Sequence, residues 1–433
     1  MNYTNKFLNY AFPSIGALLV VSLYFVVDGI FVGQGVGNNG LAAVNLAVPY
    51  ISILTAVSTM IAMGGATLSS IALGEKKQEQ AQKIFNTSIF TILMIALIFI
   101  SFTYLFLEKI VNFLGANAIL FDYTATYIKY YVSFDIFFAL SLALATFARN
   151  DGAPRLAFWA MIAGAISNIF LDWLFIFVLH LSIKGAAIAT GIGQIISCLI
   201  LLPHFIKERG ELCFGIKKIV PKMIRPIMQT GFPECITQMS SPITIFCYNL
   251  IIIEMFGEKG VAAYAIVSYL LIIVFAIFIG IAEALQPLLS RSYGERNKTA
   301  LAEFFKVGLK VNFALAVFIY LFFLVFGKDV INIFTSDGII ADLTYSCITI
   351  YGISFLFAAF NIVYSTFFLA TKKTGLAVRM TVLRSLIFNS MCIFGIAWIF
   401  GESGVWFGII AAELLVIIYL YSQKLLGVPL AKV

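Results

Sequence analysis

The chain has 433 residues, of which 61% are hydrophobic and only 11% are charged. Soluble globular proteins carry roughly 45–50% apolar and about 25% charged residues, so this composition excludes a soluble multidomain protein, a disordered chain and a disulfide scaffold. It indicates a polytopic protein of the cell (inner) membrane, in contact with the lipid bilayer. In such a protein the net charge of +7 does not indicate binding to nucleic acid.

Long apolar stretches divide the chain into predicted membrane spans. A bilayer core about 30 Å thick requires roughly 20 apolar residues per helix. Twelve stretches meet this requirement, at 11–33, 44–72, 86–107, 124–147, 157–180, 185–206, 227–255, 261–290, 308–326, 343–370, 380–400 and 404–426. The first has no cleavage signature and is expected to be a permanent span. We therefore predict an all-α polytopic membrane protein of twelve transmembrane helices.

The Lys and Arg residues are unevenly distributed between the two sides of these spans. The N-terminus, the even-to-odd loops and the C-terminus carry most of the 28 basic residues, including Arg384 at the start of span 11. The opposite side carries only Lys109, Lys129, Lys184, Lys259 and Lys328. The positive-inside rule then predicts that both termini are cytoplasmic.

The two halves of the chain form an internal repeat. With a displacement of 220 residues, Pro13 aligns with Pro233 and Gly37 with Gly257 without a gap. Because each repeat holds an even number of spans, the halves have the same orientation, as in parallel transporter repeats. We predict an N-terminal six-helix lobe, a cytoplasmic linker and a C-terminal six-helix lobe, at 1–206, 207–226 and 227–433.

Sequence signatures of enzymes are missing. The segment Gly35–Gly40 fits GxGxxG, but it follows an apolar helix rather than the strand that dinucleotide binding requires. There is no phosphate-binding GxxxxGK[ST] motif, no HExxH and no CxxC pair among the six cysteines. We therefore expect a protein that is not an enzyme and has no cofactor.

Polar residues inside the first-lobe spans are expected to come together. Insertion of a carboxylate in a membrane helix costs about 2.5–3.5 kcal/mol on insertion scales, so each one is expected to have a structural or functional role. Asn168 and Asp172 share one helix face, as do Tyr24 and Asp28, because each pair is four residues apart. The depths of Asp28, Asp172 and Thr190 agree within roughly 5 Å at 1.5 Å per residue. Two carboxylates, an amide and a hydroxyl can therefore meet.

Such a group has two possible roles. Oxygen ligands suit a hard cation such as Na⁺, and two nearby carboxylates can instead hold a proton between them. The alternative is that these side chains only join the helices by hydrogen bonds. The repeat favours ion coupling, because Asp28 aligns with Tyr248 and the region around Phe394, which matches Asp172, has no acid. A purely structural pair would be expected in both lobes.

Other polar residues in the spans are candidates for a substrate cavity. Tyr24 is four residues from Asp28, and Gln194 is four residues from Thr190, so each shares a helix face with a member of the first-lobe group. Glu413 aligns with Gln194 in the last helix of each lobe. Glu283 either lines the cavity or makes a contact between helices. Asp135 either extends the first-lobe group or stabilises span 4.

The residues of this chain resemble those of the MATE family of multidrug and toxin extrusion transporters. The segment Tyr24–Gly33 is similar to the family's first-span motif. The stretch from span 4 to span 6 is also family-like, with Arg149–Gly152, Asn168-x-x-x-Asp172 and Lys184–Ala187. The resemblance covers nearly the whole chain and is closest to the DinF-like branch, which includes MepA-like members.

This resemblance implies a two-lobed antiporter that exports amphipathic, often cationic compounds in exchange for Na⁺ or H⁺. It also implies a cation site on Asp28, Asn168, Asp172 and Thr190. Pro13 matches a proline at which some members bend the first span. The NorM-like branch carries carboxylates in spans 7 and 10. Here the span 7 position is Ser241 and span 10 has no acid, so no second-lobe coupling site is expected.

We therefore expect a monomeric multidrug efflux antiporter that works by alternating access. Its partners would be small amphipathic drugs, and its coupling ion H⁺ or Na⁺. One alternative is a flippase for a lipid-linked glycan, which should place basic residues deep in its cavity. No first-lobe span carries a basic residue deep inside it. A second alternative is a channel or structural membrane protein, which would show no counter-transport.

Overall fold

The regular structure of the protein is entirely helical over the residues described, 3–215 and 218–425, in a computed structural model. The α-helices in chain order are α1 (Tyr3–Gly35), α2 (Asn38–Gly74), α3 (Gln78–Phe113), α4 (Phe121–Ser133), α5 (Asp135–Asn150), α6 (Pro154–Asp172), α7 (Ser182–Ile206), α8 (Ile224–Gly294), α9 (Lys298–Asn332), α10 (Gly338–Tyr351), α11 (Ser354–Ala370), α12 (Thr374–Val382), α13 (Asn389–Phe400) and α14 (Gly408–Ser422). Two π-helical stretches, Trp173–Val178 and Leu383–Phe388, continue α6 and α12, and a 3₁₀ stretch, Gly401–Phe407, precedes α14.

The helices account for the predicted spans. Over the described residues, nine helices are long and apolar enough to cross a membrane. The bent pairs α4–α5 (51°) and α10–α11 (46°) provide two further spans. Helix α8 has 71 residues, about 107 Å at 1.5 Å per residue, and is interrupted at Gly257 (φ 63°, ψ −157°). The rings of Tyr248 and Tyr264, on opposite sides of Gly257, lie 4.9 Å apart. The chain therefore reverses there, α8 contains two spans, and the described residues hold the twelve predicted.

The chain divides into two compact units. The first unit is Phe12–Cys235, and the second consists of the residues up to Ala11 together with those from Ile236 onward. Both boundaries lie within helices, beside Pro13 in α1 and beside its repeat counterpart Pro233 in α8. The predicted ends of the two six-helix lobes, at residues 206 and 227, remain a prediction.

Turns at equivalent positions show that the repeat extends to the backbone. At a displacement of 220 residues, left-handed φ values recur at Gly37 (89°) and Gly257 (63°), and at Lys76 (60°) and Arg296 (54°). The amide of Lys77 donates to the carbonyl of Ala72, and that of Asn297 to Ser292, at 2.9 and 3.0 Å. Both are the bonds of a Schellman helix end. The same left-handed conformation recurs at Gly152 (84°) and Lys372 (57°).

The first part of the predicted linker packs against the first unit. The buried carboxylate of Asp151 accepts the backbone N–H groups of Glu211 (2.8 Å) and Leu212 (3.2 Å) and lies 2.8 Å from Nε2 of His204. The amide of Asn86 donates to the carbonyl of Cys213 at 2.9 Å. This segment of the linker is therefore held by side chains of α3 and of the α5–α6 turn.

Replacement of Asp151 by Ala is expected to lower the thermal stability of the protein. The substitution leaves two partly buried backbone N–H groups without an acceptor, at about 1–3 kcal/mol each. Thermal unfolding of the purified protein in detergent measures the effect, with Asp122→Ala at an exposed position of α4 as the control. Equal unfolding temperatures for the two variants would contradict the role given to Asp151.

Candidate cation site in the first unit

Close packing of two helices positions the amide and hydroxyl of the predicted site. A Cβ added to Gly193 of α7 would lie 2.8 Å from the carbonyl oxygen of Gly164 in α6, so only glycine permits this approach. Small residues at a contact of this kind bring membrane helices together. As a result, Asn168 Nδ2 lies 3.3 Å from Thr190 Oγ1 and donates a hydrogen bond to it across the interface. The sequence predicted that this amide and this hydroxyl can meet, and in the structure they are hydrogen-bonded.

The C-terminal ends of α1 and α6 bring the two carboxylates together. Asp172 is the last residue of α6, and the π-helical stretch Trp173–Val178 follows it. Such wider turns are frequent at functional sites. Phe31 of α1 packs edge-on against Phe177 of this stretch, with ring centroids 5.6 Å apart. This contact holds the face of α1 that carries Asp28 against the end of α6.

The carboxyl groups of Asp28 and Asp172 lie within hydrogen-bonding reach of each other. Both side chains are buried, with 8% and 0% of their surfaces exposed. When both are ionised, no donor forms a hydrogen bond of normal geometry with Oδ1 of Asp28 or with either oxygen of Asp172, and Oδ1 of Asn168 has no partner. The Asn168 amide is close enough to Asp172 to stabilise its charge in part. Buried carboxylates without partners are costly, so this arrangement can accept a cation or a proton.

The composition of the site fits a Na⁺ ion as well as a proton. Its four side chains offer only oxygen atoms apart from the Asn168 amide nitrogen, and oxygen ligands suit hard cations. The described residues contain no group of three or more His, Cys, Asp or Glu placed to hold a metal ion. A bound Na⁺ would therefore depend on the oxygens of Asn168 and Thr190 in addition to the carboxylates.

Three buried tyrosines surround the carboxylates. Tyr24 and Tyr127 lie within electrostatic range of both Asp28 and Asp172, and Tyr131 within range of Asp28. The sequence pointed to Tyr24 but not to Tyr127 or Tyr131. Their four-residue spacing on α4 was an available signal, although aromatic residues in an apolar span are more often core residues.

Gln194 lies one turn after Thr190 on α7 and is bonded to α5. Ser141 Oγ donates to Gln194 Oε1 at 2.5 Å. Asp135 is also in the first unit, 1% exposed at the start of α5, with no hydrogen-bond partner for either carboxylate oxygen. Pro13 lies within α1, which the structure describes as one helix.

The second-unit candidates lie in different surroundings. Both oxygens of Glu413 accept Nε–H of Arg384 at 2.9 Å, and Oε2 accepts Nδ2–H of Asn361 at 2.6 Å. The side chain of Glu413 is 5% exposed and that of Arg384 is 16% exposed, so this is a buried ion pair inside the spans. Glu283 is half-buried in the later span of α8. The side chain of Ser241 falls outside the described part of the structure.

Twelve spans in two repeated halves, with polar groups buried in the first, define a membrane transporter by architecture. A sequence profile described as MatE matches residues 13–174 and again residues 233–394. These two matches have the same displacement as the repeat. The chain belongs to the MATE family, a family of multi-pass cell-membrane proteins, as the sequence motifs predicted.

Named relatives and solved structures extend over nearly the whole chain. The multidrug export protein MepA of Staphylococcus haemolyticus is 27% identical over 404 residues, covering 92% of this chain and 88% of the relative. MepA of Staphylococcus aureus is 26% identical over 419 residues, covering 95% and 92%. An outward-facing multidrug resistance MATE transporter superposes with a TM-score of 0.92 at 22% identity, over 99% of this chain and 97% of that one. A superfamily transporter from Pyrococcus furiosus, with a binding pocket described as reversed in polarity, gives 0.91 at 22% over the same shares. At 22% identity, the likeness to these two solved structures shows the fold alone.

Proposed function

We propose that this protein is a secondary active multidrug efflux antiporter that exports amphipathic, often cationic compounds in exchange for H⁺ or Na⁺. The observation that carries the proposal is the side-by-side burial of Asp28 and Asp172 without a Lys or Arg partner among the described residues. The names of the MepA relatives support the drug-export part.

The proposed mechanism is alternating access coupled to the charge of this pair. An unpaired buried charge is costly, and binding of H⁺ or Na⁺ between Asp28 and Asp172 offsets part of that cost. The ion therefore favours the state in which the carboxylates are most enclosed. A lipophilic cation favours the state in which a carboxylate and the ring faces of Tyr24 or Tyr127 are available to it. Exchange follows because ion and drug differ in affinity for the two states.

Several finer features belong to this proposal. Pro13 is proposed as a hinge of α1, supported by the unit boundary between Ala11 and Phe12. Gln194 and Glu283 are proposed as cavity residues, and the distribution of Lys and Arg supports cytoplasmic termini. The transporter is proposed to act as a monomer, without a cofactor and without catalysis.

The flippase alternative requires a positive site for pyrophosphate within the spans. Arg384 is a basic side chain inside a span, but Glu413 neutralises it through two bonds at 2.9 Å. The pair therefore offers no net positive charge to a phosphate. This observation favours drug export over lipid-linked glycan transport.

Ethidium efflux from vesicles that contain the purified protein tests the proposal. We expect efflux when either a pH gradient or a Na⁺ gradient is imposed, and no efflux when that gradient is collapsed. The gradient that drives efflux identifies the coupling ion. Vesicles in which neither gradient drives efflux would contradict the antiporter, and flux that persists without a gradient would indicate a channel.

A further inference from the structure

The bend in span 4 carries a buried carboxylate that the site above does not use. Helix α4 ends at Ser133, α5 begins at Asp135, and the two helices meet at 51°. The side chain of Asp135 is 1% exposed, and neither of its oxygens has a hydrogen-bond partner in the described residues. Charges in such positions are normally paired. The carboxylate of Asp135 is an exception among the described residues.

The second unit shows that the bend itself does not need this carboxylate. Helices α10 and α11 repeat the bend at 46°, and the residue that aligns with Asp135 is Phe355. Phe355 is fully buried and packs against the rings of Phe278 and Tyr351, each with centroids 6.2 Å away. An apolar residue therefore occupies the same place in the same backbone arrangement. A role for Asp135 in shaping span 4 is thereby disfavoured.

Hydroxyl groups are the polar neighbours of Asp135. Tyr50 of α2 and Tyr131 of α4 lie within electrostatic range of its carboxylate, and both are nearly buried. Tyr50 is tied to α3 by a 2.6 Å hydrogen bond with Thr103. From α7, Cys198 donates to the carbonyl of Phe137 in the first turn of α5. No Lys or Arg side chain bonds to the carboxylate in the described residues.

Tyr131 links this carboxylate to the cation site. Its hydroxyl-bearing ring lies within electrostatic range of Asp135 on one hand and of Asp28 and Tyr24 on the other. Tyr127, one turn earlier on α4, interacts in the same way with Asp28 and Asp172. The rings of Tyr127 and Tyr131 are neighbours, with centroids 5.9 Å apart. Two adjacent buried hydroxyl-bearing side chains of α4 therefore interact with the cation site and with the carboxylate at the bend of span 4.

We propose that Asp135 is a second proton-binding carboxylate of the first unit, connected through Tyr131 to the Asp28–Asp172 site. A proton requires one oxygen atom, whereas a Na⁺ ion requires several, and the polar groups that interact with Asp135 are the hydroxyls of Tyr50 and Tyr131. Protonation makes the carboxyl group neutral and gives it an O–H that can donate to Tyr50 or Tyr131. The positive end of the α5 helix dipole stabilises the ionised carboxylate. Both protonation states of Asp135 are therefore stabilised by neighbouring groups. The role in transport rests on the proposed antiport.

Infrared difference spectroscopy during a pH titration tests the site directly, without transport. In a protein that carries both Asp28→Asn and Asp172→Asn, we expect a protonated-carboxyl band that still titrates. Addition of Asp135→Asn should remove this band, whereas Asp122→Asn at an exposed position should leave it. A band that survives Asp135→Asn, or a doubly substituted protein without a titrating band, would overturn the proposal.

The transport role has its own test in vesicles. Asp135→Asn is expected to change the pH dependence of ethidium efflux because it removes one of the proton-binding groups, and Asp135→Glu is expected to keep the wild-type dependence. Asp135→Phe, which copies the second unit, checks whether the fold tolerates loss of the carboxylate; we expect it to unfold at the wild-type temperature or above. A pH profile unchanged by Asp135→Asn overturns the transport role. Failure of the wild type to couple efflux to any gradient would instead overturn the antiport and leave the infrared result standing.

Discussion

Replacement of Asp172 by Asn is expected to abolish ion-driven efflux while the protein remains folded. Asn has nearly the shape of Asp, but it carries neither the charge nor the exchangeable carboxyl proton. The substitution therefore leaves Asp28 without the second carboxylate that shares a cation or proton with it. We expect the rate of ion-driven efflux to fall roughly 100-fold. This factor lies in the upper range of the coupling that is found between two binding sites.

The same vesicle assay measures this effect. Asp28→Asn should give a similar loss, because one ion serves both carboxylates, and Asp122→Asn on the exposed start of α4 should give none. Thermal unfolding provides a second readout: removal of an unpartnered buried charge should keep or raise the unfolding temperature. Wild-type efflux rates in Asp172→Asn would show that the pair does not couple the ion.

Replacement of Glu413 by Ala is expected to give the largest loss of stability among single substitutions in the second unit. It leaves Arg384 with an uncompensated charge, 16% exposed, and removes an acceptor of the Asn361 amide. Loss of one partner of a buried pair costs about 3–5 kcal/mol. Replacement of both partners by apolar residues, Arg384→Met with Glu413→Leu, should restore most of that loss.

A double-mutant cycle on thermal unfolding tests the pair. The coupling free energy between Arg384 and Glu413 should exceed that of the exposed pair Lys306 and Glu303, whose atoms lie 3.0 Å apart. Exposed pairs contribute roughly 0–1 kcal/mol, which makes Glu303→Ala a matched control. If Glu413→Ala is no more destabilising than Glu303→Ala, the buried pair does not stabilise the second unit.

Hydropathy and periodicity predicted the parts of the fold that depend on local sequence. Span length follows from bilayer thickness, and the reversal at Gly257 aligns with that at Gly37 because both turns need a left-handed residue. The hydrogen bond from Asn168 to Thr190 was predictable for a similar reason. Helix geometry fixes the face and depth of a residue once the ends of its span are known.

Contacts between distant residues were not predictable in the same way. The charge-counting rule assigned Arg384 to the cytoplasmic side, because it considers each basic residue without its partner. The structure pairs Arg384 with Glu413, which lies 29 residues later. The question of whether Asp135 shapes span 4 also stayed open in the sequence. The similar bends beside Asp135 (51°) and Phe355 (46°) argue against that role, and this comparison requires the folded structures of both units.

The left-handed helix ends have a consequence for how the protein is made. Lys76, Arg296, Lys372 and Lys424 each occupy a conformation that costs an L-residue about 1–2 kcal/mol and costs glycine almost nothing. Yet Lys and Arg are the residues that orient nascent spans during insertion, on the side that carries most of this chain's basic residues. A variant with glycine at these four turns would be more stable once folded. Its spans would be oriented less strongly during membrane insertion, because four basic residues would be missing.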